Sequence, residues 1–124
     1  MSTSPLLDVS TTLSGLGGDE ALFGRIAQIF ARTAPDMLKL IDAAFEDGDV
    51  KRVYVEAHSL KGSIGVFAAP AVFKCISDVS QHAKNGDLGA ARDAYTLAQP
   101  LIEQLLGEVS TAASSSPQPP SGLQ

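Results

Sequence analysis

Three times along this chain a glycine is followed at once by an aspartate: Gly18-Asp19, Gly48-Asp49 and Gly86-Asp87. A glycine can take the left-handed conformation that closes the last turn of a helix. An aspartate directly after it can accept the first unpaired N–H groups of the next helix. Each pair therefore reads as a stop followed by a start. With Ala68-Ala69-Pro70 as a further break, these pairs cut the chain into helices joined by tight turns.

The residues between the breaks agree. Leu22, Ile26, Ile29, Phe30, Met37, Leu38, Ile41 and Phe45 recur at spacings of three, four and seven, the pattern of an amphipathic helix. Pro35 lies within that segment and is expected either to kink it or to start a second helix with Asp36 in its first turn. Val53, Ala57, Leu60, Ile64 and Phe67 form the next stripe; Val72, Phe73, Ile76 and Val79 the third; Ala91, Tyr95, Leu101, Ile102, Leu105 and Leu106 the last. No segment sustains the period-two alternation of a strand. Long helices joined by short turns pack as antiparallel neighbours. The expected fold is all-α: an antiparallel up-and-down four-helix bundle over residues 8–110, with a short N-terminal helical segment. Residues 1–7 are expected to be a flexible N-terminus. The Ser/Pro-rich stretch 111–124 has almost nothing to bury and is expected to be a disordered tail.

At 124 residues the chain suits one domain with one core. Its net charge of −5 argues against nucleic-acid binding, which needs clustered Lys and Arg to neutralise phosphates. The opening M-S-T-S-P-L-L-D has neither the basic stretch nor the apolar run of a secretion signal. No apolar run reaches the ~20 residues that cross a bilayer, so no membrane insertion is expected. Cys75 stands alone, which excludes an internal disulfide and suits the cytoplasm; it reads as a small core residue. His82 falls near a helix C-terminus, where the negative end of the helix dipole favours a cationic ring. With two histidines and no Glu-x-x-His motif, a di-metal bundle centre is not expected. Gly15-Leu16-Gly17-Gly18 lacks the lysine and the preceding strand of a phosphate-cradling loop and reads as a turn.

One helix carries a second pattern. On a wheel of 100° per residue, His58, Lys61, Gly62 and Gly65 fall on a stripe roughly 130° from the core centre of 49–67. Tyr54 and Lys51 extend that stripe toward the N-terminus. A neutral imidazole nitrogen is a nucleophile near neutral pH, since the free side chain titrates near 6.5. A lysine one turn away could pair with an anion gathered at the ring. Each glycine costs about 1 kcal/mol relative to alanine inside a helix, and each removes a side chain that would obstruct an approaching protein backbone. On spacing alone, an ordinary surface histidine with an incidental lysine and loosely placed glycines fits as well.

The run A-H-S-L-K-G-S (57–63) resembles the A-H-x-L-K-G-[SA] signature of histidine phosphotransfer (Hpt) domains, the carrier modules of multistep two-component phosphorelays. The likeness extends over about residues 8–107. It takes in G-L-G-G-D-E-A-L-F (15–23), Ile29-Phe30, the arrangement from Leu38 through Ala44-Phe45-Glu46 to Asp49, and the position of Cys75. Family members often follow the motif with Asn, an apolar residue and Gly-Ala, where this chain has Val66-Phe67-Ala68-Ala69. Their common Leu-Glu pair in the next helix appears as Val79-Ser80. The resemblance implies that His58 accepts a phosphoryl group on its outer ring nitrogen and that Lys61 steadies the charge. Gly62 would leave room for the partner, with Gly65, Tyr54 and Lys51 on the same docking stripe. It implies response-regulator receiver domains and a hybrid sensor histidine kinase as partners, with Mg²⁺ held by the receiver and no cofactor on this chain. A monomeric phosphoryl carrier without an ATP-dependent kinase activity of its own is expected. The competing class is a helical docking module for receiver or kinase domains that carries no phosphate.

Overall fold

The computed structural model describes residues 5–115. Among these it contains five helices and no strand: α1 (Val9–Gly15), α2 (Glu20–Glu46), α3 (Val50–Ile64), α4 (Pro70–Lys84) and α5 (Leu88–Ser115). The Gly-Asp pairs act as their residue types predict. Gly48 has φ +66°, in the left-handed region that closes a helix, and Gly18 and Gly86 share it. The aspartate after each accepts a backbone N–H from the new helix: Asp19 from Leu22 at 2.9 Å, Asp49 from Arg52 at 3.1 Å and Asp87 from Ala90 at 3.0 Å.

The links at 47–49 and 85–87 reach at most about 11 Å, whereas a 15-residue helix such as α3 or α4 is about 22 Å long. The chain cannot return to the start of a helix across such a link, so the neighbours run antiparallel. α2 packs on α3 and α5, α3 on α4, and α4 on α5, closing an up-and-down bundle. The wall of α3 that faces the core is Val53, Ala57, Leu60 and Ile64, with Phe67 just beyond, as the spacing predicts.

α2 runs unbroken through Pro35. Its buried face is Phe23, Ala27, Phe30, Ala34, Leu38, Ile41, Ala44 and Phe45, which continues past the proline and holds both halves on one axis while Pro35 itself faces solvent. Small alanines supply much of this seam, which moves it away from Ile29, 54% exposed. α5 likewise contains Pro100, with Ala98 and Ile102 buried on either side. At the far end from α1, Tyr95 of α5 is buried with its hydroxyl 3.5 Å from the Leu38 carbonyl. Burial, with the charge of Asp42 adding to it, pushes the phenol's pKa up.

Both ends of the folded region extend further than the sequence suggests. α5 continues to Ser115 rather than stopping near 110, because Ala112 and Ala113 are good helix formers that pack against the core. Pro5 to Leu7 belong to the folded unit as well. The Glu108 carboxylate accepts from the backbone N–H of Leu6 at 2.8 Å and of Leu7 at 2.8 Å, and Leu7 is buried. The remainder of the expected flexible N-terminus, residues 1–4, and of the expected tail, 116–124, lies outside the described residues.

α1 closes the end of the bundle where α3 leaves for α4. Asp8 caps it, accepting from Thr11 N–H at 3.0 Å and from the Thr11 hydroxyl at 2.8 Å, bonds that hold its carboxyl below the usual carboxylate range. The Asp8 N–H donates to the Ala68 carbonyl, and the Ala68 N–H donates to the buried Thr12 hydroxyl oxygen, both at 2.8 Å. Ala68 is not in the left-handed region, so alanine fits there without strain. Next to it Phe67 inserts between two phenylalanines of α2, its ring 5.0 Å from that of Phe30 and 6.3 Å from that of Phe23. These contacts fix the exit of α3, the helix that bears the histidine motif.

Candidate functional site

α3 turns its apolar face to the core, so the opposite ridge is presented to solvent. His58 is exposed on that ridge, Lys51 and Gly62 are exposed with it, and Tyr54 and Lys61 are half-buried at its side. By the helical wheel, Tyr54 and Lys61 lie on the flank of His58 toward α4, and Gly62 and Val66 on the flank toward α2. Five of the six residues singled out from the sequence therefore share one surface of α3, and the sixth, Gly65, is its C-cap.

Each flank has its own chemistry. On the α4 side the Tyr54 ring stacks on the imidazole, with centroids 5.5 Å apart and planes 28° from parallel. Tyr54 is one turn before His58, the separation at which helix side chains meet. Lys61 extends the other way. Its ammonium lies 5.6 Å from the centre of the Phe73 ring on α4. Among the described residues no carboxylate forms an ion pair with Lys61, whereas Arg52 pairs with Asp47 and Lys74 with Asp78. The positive charge beside His58 is thus held but not neutralised.

On the α2 side the surface is open. A methyl group added at Gly62 would meet nothing within 4 Å. Beyond it a shallow apolar groove of about 200 Å³ runs between the helices, lined by Ile26, Ile29, Phe30, Ser63, Val66 and Phe67. Ile29 and Val66 expose 54% and 41% of their surface there. An imidazole nucleophile, an uncommitted cation and an unobstructed approach together suit transfer of an anionic group delivered by another protein.

The two glycines of the motif differ. Gly62 faces open space, but a Cβ at Gly65 would lie 3.3 Å from Cε1 of Phe73, closer than carbon atoms ordinarily rest. Gly65 therefore permits α4 to pack on α3. Phe73, like Ile29, is misplaced by the apolar spacing: assigned to the core stripe, it is 37% exposed and lies beside Lys61. Apolar spacing gives the orientation of a stripe but not where its edge falls. Cys75 is half-buried at the margin of the core. His82 is on another helix, in the last turn of α4, in a groove with Cys75, Asp78, Asp93 and Leu97. Among the described residues no three His, Cys, Asp or Glu side chains converge as a metal site would require, and no helix is long and apolar enough to cross a membrane.

Comparison with known proteins adds two findings. The family model described as Hpt domain matches residues 25–112, well over half of the chain. The crystal structure of histidine-containing phosphotransfer protein B from Pseudomonas aeruginosa PAO1 superposes with a TM-score of 0.81, covering 93% of this chain and 100% of that one. The two are 18% identical, so this likeness speaks for the fold. Among curated proteins, none matches the sequence.

Proposed function

Since this chain belongs to the Hpt domain family, whose members are histidine phosphotransfer modules, we propose that it takes a phosphoryl group onto His58 from the aspartate of one receiver domain and passes it to another. The observation that carries this reading is the exposed imidazole of His58 on the α3 ridge, with Lys61 on one side and open space above Gly62 on the other.

The chemistry requires little of the chain beyond positioning. A phosphorylated aspartate is an acyl phosphate. A ring nitrogen of His58 attacks its phosphorus in line, the P–O bond to the carboxylate breaks, a P–N bond forms, and the ring sheds one proton. The Lys61 ammonium offsets the charge that arrives. Mg²⁺ sits with the partner receiver, whose acidic side chains hold it, and no cofactor is assigned to this chain. The reverse steps return the group to a second receiver. Ile29, Val55 and Val66, exposed around His58, offer the docking receiver apolar contact, with Tyr54 and Lys51 completing the ridge. Action as a monomer in the cytoplasm, without kinase activity of its own, belongs to the same proposal.

The test is labelling of the full chain by a phosphorylated receiver, beside the same reaction with His58→Gln. Wild type is expected to be labelled and the variant not, with the fold retained, because His58 is off the core and its replacement removes only the exposed stack on Tyr54, about 0.5–1.5 kcal/mol. Docking without labelling would favour the phosphate-free docking module. Stoichiometric labelling by ATP and Mg²⁺ alone would show a kinase rather than a carrier.

A further inference from the structure

The Lys61 ammonium rests over an aromatic ring of the next helix, and among the described residues no carboxylate pairs with it. Phe73 is one turn into α4, and its Cε1 lies 3.3 Å from where a Cβ at Gly65 would stand, a tighter contact than carbon atoms ordinarily make. The chain thus leaves out a Cβ at the C-cap of α3 where this ring lies down, and the ring also faces the Lys61 ammonium, one turn from His58. A ring face attracts an ammonium through its quadrupole, within about 6 Å of the centroid, without cancelling its charge. A carboxylate at the same place would both hold the lysine and neutralise it toward an incoming anion.

We propose that Phe73 is a positioning residue for phosphoryl transfer: it restrains Lys61 beside His58 with the charge still available, and Gly65 is glycine so that the ring can reach Lys61. This rests on the reading of Lys61 as the group that steadies the phosphoryl charge on His58. The arrangement works before any partner arrives. It shortens the search of a long, rotamer-rich side chain, and the ring stays under the ammonium as the anion arrives.

Phosphoramidate tests this without a docking partner, because a small donor does not contact the protein surface that a receiver would. Its P–N bond breaks, a P–N bond forms at His58, and ammonia leaves with the proton the ring sheds. Initial labelling rates are measured on the full chain for wild type, Phe73→Leu, Phe73→Tyr, Lys61→Met and the double variant Phe73→Leu/Lys61→Met. Phe73→Leu keeps an apolar side chain but removes the ring face, and is expected to slow labelling about two- to five-fold, the worth of one exposed cation–π contact. Phe73→Tyr retains the ring and is expected to restore the wild-type rate. Lys61→Met slows labelling, and adding Phe73→Leu to it has no further effect. An unchanged rate in Phe73→Leu overturns the proposal, as does an equal loss in the Lys61→Met background or an unchanged rate in Lys61→Met itself. If wild type takes no phosphate on His58, the phosphotransfer reading fails first and this proposal with it, a result distinct from a labelled wild type that is indifferent to Phe73.

Discussion

The Tyr54 ring covers one face of the His58 imidazole, 5.5 Å between centroids, so the proposed phosphoryl acceptor is exposed at its edge but restrained in rotation. An unrestrained surface histidine would spread over several rotamers, few of them facing a docked partner. Aromatic pairs of this kind contribute about 0.5–1.5 kcal/mol beyond the area they bury. Tyr54→Phe keeps the stack, and is expected to leave phosphoramidate labelling of His58 within about two-fold of wild type. Tyr54→Ala removes it and is expected to slow labelling between about two- and ten-fold, the same energy expressed as a rate. Equal rates for all three proteins would show that the stack does not orient the ring.

The bundle's ends test a different relationship. Residues 6 and 108 are joined because the Glu108 carboxylate accepts two successive backbone N–H groups, while Gln104 Nε2 donates to its other oxygen at 2.7 Å. Glu108→Ala leaves the N–H groups of Leu6 and Leu7 without that partner, and Leu7 is buried. The expected loss is about 1–3 kcal/mol. Hydrogen exchange at Leu6 and Leu7 is expected to accelerate sharply while the α3 amides change little. If exchange at those two sites is unaffected, the carboxylate is not what ties the N-terminal segment down.

Two truncations measure the contribution of the last turn of α5. Cutting after residue 110 removes Ala112 and Ala113, which pack against the core. At about 25 cal/mol per Å² of apolar surface, two partly buried alanines are worth about 1 kcal/mol, a fall of several degrees in Tm for a domain of this size. Cutting after residue 115 keeps both alanines and is expected to melt above the shorter protein. Identical melting curves for the two truncations would mean that the last turn of α5 adds nothing to the fold.

The difference between these ends and the middle of the chain shows what a sequence can specify. Helix type and turns were legible because Gly48 and Asp49 act locally: each fixes its own backbone or bonds three residues away. The core wall of α3 was legible because its period is regular and three of its four positions are the larger apolar residues Val53, Leu60 and Ile64. The seam of α2 was harder, since Ala27, Ala34 and Ala44 pack at the centre while carrying little apolar weight in a pattern. Contacts between distant residues were not legible at all. Nothing in T-A-A-S signals that 112 and 113 find a surface, and nothing local links Glu108 with Leu6. At the site, the placement of His58, Lys61, Gly62 and Tyr54 along one side of α3 was legible from the helical wheel. The Phe73 contact was not, because it depends on how α4 lies across α3.

The open space above Gly62 allows stability and transfer to be separated at one position. Nothing lies within 4 Å of a Cβ built there, so alanine meets no obstacle and is the better helix former. Gly62→Ala is therefore expected to stabilise α3 by up to about 1 kcal/mol. Gly62→Gln also favours the helix, but it projects a long side chain beside His58 on the flank a receiver would cover. Transfer needs the aspartyl phosphate and the imidazole nitrogen within about 3–3.5 Å in line, and a displacement of about 1 Å can slow it ~100-fold. Gly62→Gln is expected to melt no lower than wild type yet accept phosphate far more slowly from a phosphorylated receiver. Phosphoramidate, which docks nowhere, is expected to label the same preparation at close to the wild-type rate. Equal losses with both donors would mean that residue 62 acts on the histidine itself and that the clearance above Gly62 does not serve a partner.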